Sequence, residues 1–281
     1  MLKKNIMVRK ASGELELYNP EKVRAAIIRS GAWEGVADKV IEEMEKKLYN
    51  GIRTEKIFKY VFQLLNRYHP PSASRFDLKR AIMRIGPAGY PFETFFSEVL
   101  QEYGYEVELR QIIQGRCVPH EVDVVAKNKD GIVMVECKYH NNRGTKSHVI
   151  DGLYTWARFL DLQEGAEEGK CQKFDQPWLV TNTKFTTEVV EYGNCRGLKL
   201  IGWNYPKEKN LRSMVEEKGL YPVSVLKSVD RYLMRRLFTA NLMLARDLLK
   251  FPVGKLQDLT KVSKTKLETI VGEARGVLRA D

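Results

Sequence analysis

The sequence predicts a multidomain α/β protein. A β-hairpin with a helical bundle comes first, then a mixed sheet flanked by helices, then a small all-α domain. Strand and helix patterns alternate only in the middle third, whereas helical spacing dominates the rest. The segment IGPAGYP carries two glycines and two prolines, which is typical of a linker. We therefore predict domains at residues 1–86, 87–204 and 205–281.

The charge distribution supports the same three parts. The net charge is +11 with a pI near 9.3, and it divides into +8 for residues 1–89, −4 for 90–204 and +7 for 205–281. Two basic flanks around an acidic centre indicate a polyanionic partner such as nucleic acid. Basic outer faces of solvated helices would give the same pattern, so charge alone leaves this open.

The composition is that of a soluble globular protein, with 43% hydrophobic and 30% charged residues. No apolar run approaches the roughly 20 residues that span a membrane, and the basic N-terminus lacks a following apolar segment. The four cysteines form no CxxC pair, which predicts reduced thiols rather than a zinc site. We therefore expect a cytoplasmic protein with no membrane segment.

The first domain begins with two short extended runs, IMVRK and LELY, around a turn at Gly13. Asn19 and Pro20 then predict a helix start, with Asn19 as the N-cap. Amphipathic helices follow at about 36–48, 54–68 and 72–85. This order predicts a hairpin followed by a four-helix bundle.

The second domain reads helix, three strands, helix, strand, helix, strand. FETFFSEVLQEYGY is the first helix, and YEVELRQII is the first strand. The next two strands form a hairpin, PHEVDVVAKNKDGIVMVECKYH, around the charged turn KNKDG. A helix at about 146–162, the strand PWLVT, a helix near 186–194 and the strand LKLIG complete the predicted mixed sheet. From about residue 206 onward, only helices are predicted.

This hairpin places charged residues on strands that are otherwise apolar. Because side chains alternate along a strand, Glu136 and Lys138 share one face, and Asp123 on the partner strand can lie close to Glu136. Two unpaired carboxylates would repel and be costly to bury, and a divalent cation such as Mg²⁺ relieves both problems. A salt bridge from Lys138 to either acid is the alternative, and the spacing alone does not decide between them.

The segments on either side of the hairpin favour the metal site over the salt bridge, because they resemble a known nuclease family. Residues 88–204 resemble the PD-(D/E)xK nucleases, and within them the Mrr-like restriction endonucleases: GYPFE, HEVDVVA, VMVECKY and VTNTKFTTEVVEYGNCRGLKLIGW occur in the family's order. The resemblance implies a restriction-endonuclease-like sheet in which Asp123 and Glu136 bind Mg²⁺ and Lys138 positions water. Many Mrr-like proteins carry Gln at the position of Glu136, and Glu favours metal binding. Glu93 matches the family's helical acid, although an acid at a helix start is also favourable by itself.

The first domain resembles the ATP-cone, a nucleotide-sensing module. MVRKASGELELYNPEKVRAAI and IRTEKIFKYVFQLL carry the match over roughly residues 5–86. The resemblance implies ATP or dATP as a regulatory ligand, with contacts from four residues: Lys10, Glu16, Lys22 and Thr54. The family usually has Lys-Arg before its turn, whereas Ala11 takes the second position here, which weakens the expectation of nucleotide binding more than that of the fold.

The C-terminal segment LQDLTKVSKTKLETIVGEA resembles helix-hairpin-helix modules, which bind DNA. The resemblance implies phosphate contacts from Lys261, Lys264 and Lys266. The Gly-rich hairpin of that family is absent, since Val262-Ser263-Lys264 stands there. A plain helical interaction domain is an equally acceptable interpretation.

Together these features predict a Mg²⁺-dependent DNA endonuclease of restriction type that is regulated by ATP or dATP. One active site per chain predicts a homo-oligomer, since a double-strand break needs two sites. Two alternatives remain at this stage: a nucleotide-sensing DNA-binding regulator with an inactive nuclease fold, and a structure-specific junction nuclease.

Overall fold

A computed structural model describes residues 6–86, 89–142 and 144–279. Its contacts divide the chain into two compact units, one of residues 82–220 and the other combining the residues up to 81 with those from 221 onward. Of the predicted linker at 85–91, residues 87 and 88 lie outside the described part of the chain. None of the described helices is long and apolar enough to cross a membrane.

The N-terminal part of the first unit begins with a three-stranded sheet. Strand β1 (Met7–Arg9) pairs antiparallel with β2 (Leu15–Leu17) and parallel with β3 (Ile52–Arg53). The turn between β1 and β2 contains Gly13, whose φ of +89° favours glycine. The predicted hairpin is confirmed. Strand β3 was not predicted, because two residues are too short to show a strand pattern in the sequence.

The helices that follow lie where the sequence predicts them, except that one predicted helix is divided into two. Asn19 caps the first helix by accepting hydrogen bonds from Glu21 N (2.9 Å) and Lys22 N (3.2 Å). The predicted helix at 72–85 is two short helices, because Pro70 and Pro71 start a helix earlier and Asp77 ends it. The helices are α1 (Pro20–Arg29), α2 (Glu34–Glu45), α3 (Thr54–Tyr68), α4 (Pro70–Phe76) and α5 (Leu78–Met83).

The second unit is built on a five-stranded mixed sheet in the order β10-β8-β6-β5-β4. The three strands β4, β5 and β6 pair antiparallel, and the β6–β8 and β8–β10 pairs are parallel. Its strands are β4 (Glu106–Gln114), β5 (Pro119–Asn128), β6 (Gly131–Lys138), β8 (Gln176–Thr181) and β10 (Lys199–Ile201). Two short strands, β7 (Lys146–Ser147) and β9 (Lys184–Phe185), pair separately in parallel. The helices are α6 (Tyr90–Glu102), α7 (Val149–Glu167), α8 (Thr187–Arg196) and α9 (Leu211–Glu217).

This sheet confirms the predicted order of helix, three strands, helix, strand, helix, strand. Helix α6 buries three phenylalanines completely, which are Phe92, Phe95 and Phe96. Helix α7 buries Phe159 and Leu162 in a cluster with Met134 of β6. The sheet core therefore holds both helices in fixed positions relative to the central hairpin.

The C-terminal segment completes the first unit with helices, as predicted. They are α10 (Arg231–Thr239), α11 (Val253–Thr260) and α12 (Lys264–Leu278), with 3₁₀ turns at Val223–Val225 and Ala245–Leu249. Arg75 of α4 donates to the carbonyl of Arg279 (2.9 Å), and the buried Ser224 hydroxyl donates to the carbonyl of Ala81 (2.8 Å). The N-terminal and C-terminal parts of the chain therefore share one packed unit.

The predicted boundary between residues 204 and 205 lies inside the second unit, which extends to Leu220. Helix α9 is attached there by Tyr103, whose hydroxyl donates to the carbonyl of Met214 (3.2 Å). Lys218 donates to the carbonyl of Glu102 (2.6 Å). These contacts join segments more than a hundred residues apart, which local sequence patterns do not reveal.

Candidate active site

The central hairpin opens where its two acidic residues meet. The ladder between β5 and β6 runs from Asn128↔Gly131 to Val124↔Val135, so the next position in register sets Asp123 opposite Glu136. There the amide of Cys137 donates to the side chain of Asp123 (2.7 Å) instead of to a strand carbonyl. The strands thus separate at the point where two carboxylates project side by side.

Both carboxylates are partly or fully withdrawn from water. Glu136 is only 7% exposed, and burial followed by the nearby charge of Asp123 raises its pKa to about 7. Burial is also the main reason that the pKa of Asp123 is raised, although the hydrogen bond from the Cys137 amide opposes the shift. Each group therefore resists ionisation, as carboxylates that share a buried site do.

The donor set fits a magnesium ion. Mg²⁺ is bound in proteins through one or two carboxylates and keeps several waters, so Asp123 and Glu136 are sufficient side-chain ligands. Within the described residues, no group of three or more His, Cys, Asp and Glu side chains is arranged to hold a metal. The site therefore fits a partly hydrated hard cation rather than a closed structural zinc.

Lys138 lies at the open end of the same strand. Its ammonium is 4.0 Å from Glu136 Oε1 and 3.6 Å from Asp151 Oδ1, and its side chain is 37% exposed. The alternative salt bridge to Glu136 is thus long, and Asp151 of α7 is the nearer partner. The ammonium remains accessible to a substrate or to water beside the carboxylates.

Glu93 lies in the first turn of α6, half-buried and close to the hairpin. Burial, then the charge of Asp123, raises its pKa. Its Oε2 is 3.5 Å from Arg110 Nη1, and the charge of Arg110 opposes the rise in the pKa of Glu93. Arg110 itself has a φ of +51°, a strained value for a residue other than glycine, at the β4 position opposite Asp123.

Helix α7 contributes three residues that the sequence interpretation missed. Asp151, Tyr154 and Arg158 are spaced three and four residues apart and so share one face of the helix. Arg158 forms an ion pair with Glu136, and Asp151 faces Lys138. The 3.6-residue spacing marks such a face, but only the packing of α7 shows that it meets the hairpin.

An asparagine fixes the chain just after Lys138. The buried side chain of Asn182 accepts from the amide of His140 (2.8 Å) and donates to its carbonyl (2.9 Å). The ring of His140 contacts the hydroxyl of Ser147 (2.9 Å). These contacts hold the end of β6 in place and thereby the position of Lys138.

The four predicted nucleotide contacts lie at one end of the small sheet. Lys10 and Lys22 both form ion pairs with Glu16, and these pairs lower the pKa of Glu16 to about 2. Thr54 starts α3 directly after Arg53, which is paired with Arg9 across the parallel β1–β3 ladder. The fold thus brings Lys10, Glu16 and Lys22 into contact and places Thr54 next to the residue that pairs with Arg9.

The three predicted DNA-contacting lysines lie around the turn between α11 and α12. Lys261 ends α11 with a φ of +56°, the left-handed conformation usually taken by glycine. Lys264 begins α12 and is 3.9 Å from Glu268, and Lys266 follows in the first turn. Helix, three-residue turn and helix therefore form without the Gly-rich sequence.

The raised pKa of Glu136 predicts a pH-dependent stability. The pKa of Glu136 is about 7 in the folded protein against an ordinary 4.5, so the folded protein holds this proton more tightly than the unfolded chain. The stabilisation that this proton contributes is complete below about pH 4.5 and is lost as the pH rises through 7. Relative to Glu136→Gln, the wild type should lose on the order of 3 kcal/mol between pH 4.5 and pH 8. Urea unfolding of both proteins in EDTA measures this difference.

The exposed Glu106→Gln variant is the control for that measurement, since Glu106 lies on the neighbouring strand β4. Its stability difference from the wild type should stay constant across the same pH range. A Glu136→Gln difference that is equally constant would show that Glu136 is not buried as described.

Family models match the three parts of the chain. An ATP cone domain matches residues 6–81, a restriction endonuclease domain of Mrr type matches 88–204, and an AF1548-like C-terminal domain matches 221–278. The central sheet with its acidic hairpin is therefore a restriction-endonuclease-like nuclease domain, joined to an ATP-cone. This confirms the ATP-cone, the Mrr-like domain and their order, followed by a separate C-terminal domain.

The relatives identify the family. An uncharacterized protein of Archaeoglobus fulgidus is 37% identical over 182 residues, which is 65% of this chain and 99% of the relative. The crystal structure of the protein of unknown function AF1548 superimposes with a TM-score of 0.59 at 36% identity, covering 68% of this chain and 98% of that one. The chain belongs to the family of this archaeal protein.

Proposed function

We propose that this protein is a Mg²⁺-dependent DNA endonuclease of the cytoplasm whose activity responds to ATP or dATP. The observation that carries the proposal is a pair of carboxylates, the partly buried Asp123 and the buried Glu136, set opposite each other beside Lys138 in a domain of restriction-endonuclease type. Carboxylates whose pKa values are raised by burial and by each other's charge cluster at functional sites.

Each residue has a distinct role in this proposal. Asp123 and Glu136 hold the metal, with Asp123 oriented by the Cys137 amide. When bound, Mg²⁺ neutralises charge that develops on the phosphate. Lys138 orients the water that attacks phosphorus as the P–O bond to the leaving oxygen breaks. Glu93 lies within electrostatic range of Asp123 and holds a water or the metal shell at its edge.

The basic flanks supply affinity for DNA. The central domain has a net charge of −4 over residues 90–204, so it attracts DNA poorly by itself. Lys261, Lys264 and Lys266 lie around the turn between α11 and α12, where lysines and backbone amides can contact phosphates. Binding of this kind is independent of DNA sequence and weakens steeply with salt. Two copies of the chain, with one catalytic hairpin each, would cut both strands.

A plasmid assay tests the proposed activity. Supercoiled DNA is incubated with the full chain and Mg²⁺, in parallel with linear, branched, modified and unmodified DNA. Conversion to nicked or linear plasmid supports an endonuclease, and preferential cleavage of branched DNA would assign a junction nuclease instead. DNA binding without any cleavage in Mg²⁺ or Mn²⁺ would favour the inactive regulator.

The nucleotide proposal rests on the cluster of Lys10, Glu16, Lys22 and Thr54. Two ammonium groups at the end of a small sheet can meet phosphates as point charges, and Glu16 can accept a hydrogen bond from ribose or base. A bound triphosphate would compete with Glu16 for both lysines. Nucleotide binding therefore requires these ion pairs to rearrange.

Lys10→Met should weaken ATP binding about 10- to 100-fold, the value of one charge-assisted contact of roughly 1.5–3 kcal/mol. Calorimetry with ATP and with dATP measures the effect. Lys46→Met is the matched control, because Lys46 pairs with Glu42 on an exposed helix of the same domain. Equal affinities of the wild type and Lys10→Met would contradict the assignment, as would no binding by the wild type.

A further inference from the structure

Arg158 is the least exposed cation near the catalytic hairpin. Its side chain is 10% exposed and pairs with Glu136 Oε2, whose own side chain is 9% exposed. The second terminal nitrogen donates to the hydroxyl of Tyr154 (2.6 Å), and the guanidinium carbon lies 4.7 Å from the centre of the Tyr154 ring. The buried Nε has no hydrogen-bond partner among the described residues. Within the described residues, Glu136 and Tyr154 are thus the two hydrogen-bonding partners of this guanidinium.

The charges around Glu136 explain why a cation lies there. Glu136 lies opposite Asp123 across the hairpin, Arg158 pairs with Glu136 Oε2, and the Lys138 ammonium lies 4.0 Å from Glu136 Oε1. An arginine keeps its charge at any pH at which the protein is folded. Arg158 is therefore a permanent positive charge that compensates the ionised acid pair within the protein.

A divalent cation on the Glu136 carboxylate would meet the same electrostatic need as Arg158. Glu136 Oε2 can accept the guanidinium or face a metal, and a cation in contact with a ligand oxygen repels a second cation. The hydroxyl of Tyr154 gives the guanidinium a second partner when it leaves Glu136. Tyr154 is 53% exposed, so the displaced guanidinium can stay beside its ring without displacing core side chains.

We propose that Arg158 is a positioning residue that competes with the metal for Glu136 and so sets the metal affinity of the site. It keeps the acid pair compensated before metal binds, and it releases Oε2 towards Tyr154 when metal binds. This inference rests on the proposed function, because it assumes that Asp123 and Glu136 bind a divalent cation.

The test is calorimetric titration of the full chain with Mn²⁺ at pH 8, which needs no cleavage. Arg158→Gln removes the charge while keeping a polar side chain, and it should tighten Mn²⁺ binding about ten-fold. Arg158→Lys retains a charge and should bind Mn²⁺ within about two-fold of the wild type. Without metal, Arg158→Gln should also melt at a lower temperature, and Mn²⁺ should raise that temperature more than in the wild type.

Arg116→Gln is the matched control, because Arg116 pairs with Glu164 (3.1 Å) and Glu168 (3.0 Å) near the far end of α7. Its Mn²⁺ affinity should equal that of the wild type. If Arg158→Gln does not fold, Tyr154→Phe carries the test, since it frees the guanidinium from its second partner and should change Mn²⁺ affinity without removing charge.

The outcomes separate this inference from the proposed function. If the wild type binds Mn²⁺ and Arg158→Gln binds it with equal or lower affinity, the competition between Arg158 and the metal is overturned while the metal site stands. Unchanged Mn²⁺ affinity in Tyr154→Phe would overturn it where only that variant folds. Absence of Mn²⁺ binding by the wild type, matched by Asp123→Asn, would overturn the metal site itself.

Discussion

Asp123→Asn and Glu136→Gln should each lower the rate of DNA cleavage by about 1,000-fold or more, because a metal ligand contributes several kcal/mol of charge stabilisation in the transition state. Each change keeps the shape of the side chain and removes one negative ligand. DNA affinity should change little, since the basic charge lies mainly outside residues 90–204. Plasmid cleavage measures the first effect, and fluorescence anisotropy with labelled DNA measures the second.

Asp130→Asn is the control for these variants. Asp130 lies in the turn at the other end of the same hairpin, where it contacts Asn128. It should cleave at the wild-type rate. Full activity in purified Asp123→Asn or Glu136→Gln would remove these residues from the catalytic site, whereas loss of DNA binding in both would point to a folding defect.

Lys138→Met should lower cleavage by about 100-fold or more, within the range that one positioned proton-transfer or water-orienting group contributes. Metal binding should be retained or slightly strengthened, because the ammonium 4.0 Å from Glu136 repels a cation. Lys138→Met therefore differs from Asp123→Asn, which loses cleavage and metal affinity together. Cleavage rates and Mn²⁺ titration of the same preparations distinguish the two.

Lys127→Met is the control for that prediction. Lys127 is an exposed lysine on β5 of the same hairpin, near the turn. It should retain activity and metal affinity. Cleavage by Lys138→Met at the wild-type rate would show that Lys138 does not orient the attacking water.

The sequence was most informative where chemistry depends on alternation along a strand. Asp123, Glu136 and Lys138 could be placed together from the hairpin alone, because side-chain direction in a strand has a period of two. Arg158 and Asp151 could not, since their contact with the hairpin depends on how α7 packs across the sheet. The charge balance of the site is therefore a tertiary property, whereas the proximity of Asp123, Glu136 and Lys138 follows from local pattern.

The same distinction holds for the fold. Asn19 and Pro20 predicted the start of α1, because capping is a local interaction. The placement of α9 in the nuclease unit depends instead on Tyr103, more than a hundred residues earlier. Likewise, Lys261 adopts a conformation typical of glycine, and only the surrounding helices determine it.

The central claim is that the Asp123–Glu136 pair makes this chain a metal-dependent nuclease. The most direct test is nicking of supercoiled plasmid by the purified full chain in Mg²⁺, in EDTA, and in Mg²⁺ with Asp123→Asn. We expect nicked plasmid only with the wild type in Mg²⁺. Equal nicking by the wild type and Asp123→Asn, or nicking by the wild type that persists in EDTA, would contradict the claim.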